Sequence, residues 1–204
     1  MKKLEKLFIG LMIGAIPPLC GFLAGWWIFC KSLSNMQIAL TAASGLVLGL
    51  IVDAFFLKRW TARAYQASPL LWMSVYLFYS ICVFGFFMGV PVFNVLLAIP
   101  AGIFIGARLS HLPGDAARDQ VYVHRTQLYT TGVMALICAA SAFLALRDPT
   151  TAANLEGMLR LPFKVTTPMI IALIAVGGIG LLLVQWFLTA KIVQAGRRLA
   201  ERSA

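Results

Sequence analysis

Six separate stretches of this chain are apolar for about 18 residues or more, which fixes its solvent before any other property is considered. At a rise of 1.5 Å per residue, roughly 20 apolar residues cross the hydrocarbon core of a bilayer. The runs are 7–28, 36–57, 69–89, 91–108, 127–146 and 167–190. In lipid every backbone N–H and C=O must find its partner inside the protein, so runs of this length read as helices. The expected fold is an all-α integral membrane protein of six transmembrane helices. It forms a single polytopic domain over 1–204, with no room for a soluble domain. Composition agrees: 61% of residues are hydrophobic, 12% are charged and the mean hydropathy is +0.88, where a soluble domain carries about a quarter charged residues. The first run follows Lys2, Lys3 and Lys6, but it is too long for the apolar core of a signal peptide and no small-x-small site follows, so it reads as an uncleaved anchor.

A net charge of +10 raises the question of nucleic acid, and the distribution of that charge excludes it. With the N-terminus inside, thirteen lysines and arginines fall on the cytoplasmic side. Only Lys31, Arg147, Arg160 and Lys164 fall outside. This asymmetry is the positive-inside pattern, and it implies a cytoplasmic (inner) membrane protein with both termini cytoplasmic and an attraction for anionic inner-leaflet lipids. Cys20, Cys30, Cys82 and Cys138 are scattered singly with no metal-ligand or redox spacing, so they read as small apolar residues. No histidine lies in a span, which argues against haem. No phosphate- or dinucleotide-binding glycine motif is present, and neither a cofactor nor a metal is expected.

Two of the spans contain proline near their middle. "AIPPLCGFLAGWW" places Pro17 and Pro18 about ten residues into the first span, and "AIPAGIFIGARL" places Pro100 at a similar depth in the fourth. Spans three apart cross in opposite directions, so the echo suggests a 3+3 inverted repeat. In such folds broken helices expose backbone groups to a solute near the bilayer midplane. On this reading a solute site lies between broken helices one and four, with Gly21 and Gly102 touching the solute. The alternative is that a neighbouring helix re-satisfies the freed carbonyls. Glycines also recur in pairs four apart: Gly10/Gly14, Gly21/Gly25, Gly45/Gly49, Gly85/Gly89 and Gly102/Gly106. Such pairs let helix backbones approach closely.

Polar groups inside spans are costly, so each needs a reason. Asp53 is the only acidic residue within a run. It lies about 7 to 8 Å below the inner interface, where it could serve a cation or proton, touch a substrate, or pair with Lys58, Arg59 or Arg108. Asn94 and Gln185 suggest interhelical hydrogen bonds or weaker substrate contacts. Between spans, Pro113-Gly114 reads as a turn and Asp115 as the cap of a helix that runs into span five, while Asp148-Pro149 reads as the start of a short amphipathic helix through Ala152, Leu155, Met158 and Leu159.

No complete catalytic constellation is found. "TAASGLVLG" around Ser44 resembles the nucleophile segment of rhomboid intramembrane proteases, but the histidine base they need is missing from the spans: His111 and His124 both fall in a loop. "PGDAARDQ" resembles the CDP-alcohol phosphotransferases in an aspartate and an Ala-Arg pair, without their order. His111, Asp115, Asp119 and His124 could form a surface acid/base or metal cluster, against the simpler reading of a solvated loop. The expected function is a small membrane transporter or the substrate-binding membrane subunit of a transport system. The alternative is a non-catalytic structural subunit of a larger membrane complex, with a protein partner or a second copy of the chain.

Overall fold

Proline without an N–H is tolerated at the first turn of a helix, and that is where this chain places it. In the computed structural model, which describes residues 3–30, 34–111 and 116–202, α1 (Lys3–Gly14) ends one residue before α2 (Ile16–Phe29) begins. Pro17 and Pro18 are the second and third residues of α2. Ala15 between the helices keeps right-handed helical angles, φ −78° and ψ −17°. Ala15 N–H donates to the Leu11 carbonyl and Leu19 N–H to the Ala15 carbonyl, both at 3.2 Å, so the two helices run on as one interrupted span. The span-four proline follows the same rule. A 3-10 segment, Pro91–Leu97, gives way to the later helix α5 (Ala98–His111), of which Pro100 is the third residue.

The remaining elements are α3 (Asn35–Ala62), a 3-10 turn at Ala64–Gln66, α4 (Pro69–Phe86), α6 (Ala116–Arg147), α7 (Thr151–Leu159) and α8 (Thr167–Arg202). No strand occurs among the described residues. Among the described residues, six helical segments are long and apolar enough to cross a membrane: Glu5–Ile28, Asn35–Ala62, Pro69–Phe86, Pro91–His111, Ala117–Arg147 and Thr167–Glu201. The chain is a multi-pass membrane protein. Its outer surface fits an apolar solvent, with Leu48, Phe55, Leu136, Val176, Ile179 and Phe187 each more than half exposed.

Three helices outrun the apolar stretches that reveal them. α3 continues to Ala62, α8 continues to Arg202, and α6 begins at Ala116, eleven residues before the apolar run, where the sequence predicts a helix starting after Asp115 and running into span five. Span three instead stops early, at Phe86 rather than 89, because Met88 (φ 53°) and Gly89 (φ 81°) turn the chain in the left-handed region. The expected Gly85/Gly89 packing pair is therefore a helix residue with open space and a turn residue. The Pro113-Gly114 turn and the Asp115 cap lie outside the described residues. Asp148 does not cap α7. Its Oδ1 accepts from the Thr150 N–H (2.8 Å) and hydroxyl (2.7 Å), and the helix starts two residues later than expected, after Thr150 as N-cap. The Asp148 carboxylate closes a local turn in place of capping a helix.

The chain divides into two compact units, Met1–Ser68 and Pro69–Ala204. The division falls after span two, whereas a 3+3 repeat would place it after span three. In the first unit α2 packs antiparallel along α3, whose N-terminus is fixed by a capping box between Ser34 and Gln37. The contact is backbone on backbone. A Cβ at Gly21 would lie 2.7 Å from the Gly45 carbonyl carbon and one at Gly25 would lie 2.8 Å from that of Thr41, while Gly49 faces Pro17 and Pro18. The Thr41 hydroxyl donates to the Gly25 carbonyl across the interface at 3.0 Å.

In the second unit α5 packs along α8 by the same means. A Cβ at Gly102 would meet Ile192 at 2.6 Å, one at Gly106 the Arg197 nitrogen at 2.6 Å, and one at Gly196 the Ile103 Cα at 2.8 Å. Trp72 of α4 lies buried with its ring centroid 3.8 Å from that of Phe104, which removes it from any interfacial aromatic belt. The Tyr129 hydroxyl on α6 donates to the Met73 carbonyl at 2.6 Å.

Candidate functional site

Pro17 and Pro18 cannot donate the i to i−4 bonds that the Ile13 and Gly14 carbonyls would otherwise accept. The first unit therefore has two carbonyls at the end of α1 with no helical donor. Asp53 comes to that end. Gly49 of α3 sits against Pro17 and Pro18, and one turn along α3 the Asp53 Oδ2 lies 3.7 Å from where a Gly14 Cβ would stand. Leu57, a further turn on, covers the other side of Gly14 at 3.2 Å. Asp53 is buried, 9% exposed, and its Oδ1 accepts no hydrogen bond. No described ion pair involves it, so the pairing with Lys58, Arg59 or Arg108 that its position suggested is not formed among the described residues.

A carboxylate enclosed by apolar surroundings is stable only if protonated or if a cation joins it. The acceptors at this point are the two carboxylate oxygens of Asp53, held beside Gly14 at the end of α1. They suit a proton or a small monovalent cation. No group of three or more His, Cys, Asp or Glu side chains able to hold a metal ion occurs among the described residues.

The other expected site residues lie elsewhere. Gly21 touches the Gly45 backbone and Gly102 touches Ile192. What each meets is a neighbouring helix. Pro100 starts α5 in the second unit, as Pro17 and Pro18 start α2 in the first. Asn94 is buried and donates through Nδ2 to the Ser80 carbonyl at 2.8 Å, and Gln185, fully buried, donates through Nε2 to the Tyr76 hydroxyl at 3.1 Å. Both are the interhelical bonds that their position suggests. Ser44 donates to the Thr41 carbonyl of its own helix at 2.8 Å and has no base beside it among these bonds.

The loop cluster of His111, Asp115, Asp119 and His124 is rearranged by the length of α6. Asp119 is a buried helical residue and receives Arg197 Nη1 from α8 at 2.6 Å. His124 stands edge-on to Trp186, with ring centroids 5.5 Å apart. Asp115 lies outside the described residues. A cleft of about 400 Å³ opens at this end of α6 and α8, lined by Asp119, Gln120, Val123, Gln127, Gln194 and Arg197.

Sequence reasoning passed over several buried polar residues, of which Gln127 lines this cleft. Gln127 Nε2 donates to the Trp186 carbonyl at 3.2 Å, and the Thr130 and Thr189 hydroxyls meet at 3.1 Å, both threonines being 1% exposed or less. The available signal was spacing. Gln127, Thr130 and Met134 on α6, and Gln185, Thr189 and Val193 on α8, each recur every three or four residues and so mark one face. Compared with known protein families, curated proteins and solved structures, the chain matches none.

Proposed function

We propose that this chain is a small membrane transporter, or the substrate-binding membrane subunit of a transport system, in which Asp53 beside the interrupted first span binds the coupling proton or a monovalent cation. The observation that carries this reading is the buried carboxylate oxygen without a partner, on a side chain that lies against Gly14, where the first span is interrupted. An ionisable residue in a span is kept at a cost to insertion, and structural pairing, the usual compensation, is not what Asp53 does here. The proposed mechanism is binding at the carboxylate: a proton or cation neutralises Asp53 and draws α1 and α3 together at Gly14, and its release leaves a charge that the apolar surroundings disfavour. The Ala-Ile-Pro restarts at Ile16 and Ala98 support a repeated local design. The proposal does not need the full 3+3 repeat, since span one packs on span two while span four packs on span six.

The test uses sodium and protons as probes. The melting temperature of the purified protein in mild detergent is compared in sodium chloride against choline chloride, and at pH 5 against pH 8. A ligand at a hundred times its Kd stabilises by about 2.7 kcal/mol, so wild type should show a clear rise under one of these conditions. Asp53→Asn should fold, remain as stable as unliganded wild type, and lose that response. An equal response in both proteins, or none in wild type, refutes the site.

The orientation proposed with this function has both termini on the cytoplasmic side of an inner membrane, against anionic lipid. Reporter fusions after Ser34, Gly89 and Glu156 should then report outside, and those after Arg63, Asp119 and Arg202 inside. A second reading, a structural subunit that assembles with a partner or with another copy, is favoured by α8. A Cβ at Gly177, Gly178 or Gly180 meets nothing within 4 Å, and Val176 and Ile179 beside them are exposed. Recovery of another subunit, rather than a small molecule, after mild solubilisation would select it.

A further inference from the structure

We infer that the second unit carries a separate binding site for small, uncharged hydrogen-bond donors, centred on Gln185 and Tyr76 and entered from the Asp119–Arg197 cleft. On α8, Gln185, Thr189, Val193 and Arg197 follow one another at intervals of four, so they share a face and descend about 6 Å per step, roughly 18 Å in all. On α6 the matching face carries Asp119, Gln127 and Thr130. The seam starts at the charged pair, where Arg197 meets Asp119 at 2.6 Å. It passes Gln127, then the Thr130–Thr189 hydroxyl pair at 3.1 Å, and ends where Gln185 Nε2 donates to Tyr76 Oη at 3.1 Å.

Gln185 is 0% exposed, and its Oε1 has no partner. The amide has used a donor on the protein and kept its acceptor open. A buried carbonyl oxygen without a donor costs about 1–3 kcal/mol, so what completes it must bring an N–H or O–H. Inward of the Asp119–Arg197 pair the polar groups named are amides and hydroxyls, which stabilise a neutral guest and do not offset the desolvation of a charged one. Met134 on α6 and Val193 on α8 are buried as well, 2% and 1% exposed, so the guest must be small. The class is therefore small amides, ureas and alcohols. This site goes beyond the Asp53 reading, shares no residue with it, and stands or fails separately.

The experiment is alkylation by iodoacetamide, itself a small neutral amide. In a chain with Cys20, Cys30, Cys82 and Cys138 changed to alanine, a single cysteine is placed by Thr189→Cys, and in a second protein by Thr130→Cys in case the first does not fold. Gln120→Cys, in the cleft wall, is the accessible reference, and Leu183→Cys, on an exposed apolar face, is the control. In protein below its melting temperature, the cysteine at 189 or 130 should react while that at 183 does not. Urea or acetamide should slow the reaction in competition. Gln185→Leu should weaken that competition by roughly tenfold, the weight of one hydrogen bond of about 1.4 kcal/mol. Reaction of the buried cysteines that neither urea nor acetamide slows overturns the proposed guest class. Failure of both buried cysteines to react until the protein is unfolded, while Gln120→Cys reacts, overturns the site and leaves the seam as packing.

Discussion

Adding one methyl group at Gly21 tests how the first unit is held together. An alanine Cβ there would stand 2.7 Å from the Gly45 carbonyl carbon and closer still to its oxygen. Ordinary contact between such atoms needs about 3.5 Å or more, so relieving the oxygen contact requires α2 and α3 to move apart by more than about 1 Å. The separation propagates along two rigid helices to the Gly25–Thr41 and Gly49–Pro18 contacts, and it stretches the 3.0 Å bond from the Thr41 hydroxyl to the Gly25 carbonyl. A gap of 0.5–1 Å forfeits a quarter to a half of each dispersion well. Lipid supplies no hydrophobic term to hold the helices together, so nothing offsets that loss. Together with the weakened hydrogen bond, the cost should be about 2 kcal/mol, within the roughly 1–3 kcal/mol typical of overpacking. Gly85→Ala is the paired control: its Cβ meets nothing within 4 Å, and the helix propensity of alanine favours the change by up to about 1 kcal/mol. The assay is reversible unfolding in mixed micelles of increasing denaturing detergent, followed by tryptophan fluorescence. If Gly21→Ala is as stable as wild type, or no worse than Gly85→Ala, the backbone contact does not hold this pair together.

Three further outcomes are expected. Arg197→Met leaves the buried Asp119 carboxylate without its 2.6 Å partner, and should cost about 1–3 kcal/mol in the same unfolding assay, largely recovered when Asp119→Asn is added. Burial, and secondarily Glu5, hold the Tyr65 phenol well above its usual titration range. A group whose folded pKa is raised contributes stability that is complete below the unfolded value, near 10, and lost as pH rises further, so wild type should lose stability in strong alkali and Tyr65→Phe should lose less. The Asp148 carboxylate is held low by the Thr150 backbone N–H and hydroxyl. Its contribution is present above the unfolded value, near 4, and lost as pH falls through the folded one, so protection of the Thr150 and Asn154 amides, measured relative to the intrinsic exchange rate at each pH, should fall in acid, and Asp148→Ala should show the same low protection at neutral pH.

Much of the architecture is legible because lipid reduces the alternatives: an apolar run of 20 residues can do little except span as a helix. Proline placement is also legible, since a residue without an N–H marks where a helix can begin. Hydropathy fails where a helix leaves the apolar stretch. Residues 116–126 contain Arg118, Asp119, Gln120 and Arg125, which suit an aqueous loop on that measure, and it is the cap signal at Asp115 that points to a helix running into span five. Pairings over long separations are not legible. Nothing at Gly21 names Gly45 as its partner, and nothing at Gln185 names Tyr76, 109 residues away. The acidic site was half visible: Asp53 stood out by its charge, but its neighbour is Gly14, a residue with no side chain to announce a contact. The threonines of the seam were overlooked because a hydroxyl changes hydropathy little, although it is the group that joins α6 to α8.

The length of α8 makes the bilayer itself a variable. Its 36 residues measure about 54 Å, against a hydrocarbon thickness of roughly 30 Å. Upright, close to half of the helix would stand beyond the acyl chains, and tilt can absorb only part of that excess. The Lys191 to Arg198 stretch then meets headgroups in a thin bilayer, and in a thicker one Gln194 and Arg197 are drawn toward the hydrocarbon. A charged pair resists that immersion, so the protein should sort toward membranes whose thickness leaves this end of α8 wet. Acyl-chain length in reconstituted vesicles, with no change in the protein, should shift both its stability and access to the cleft.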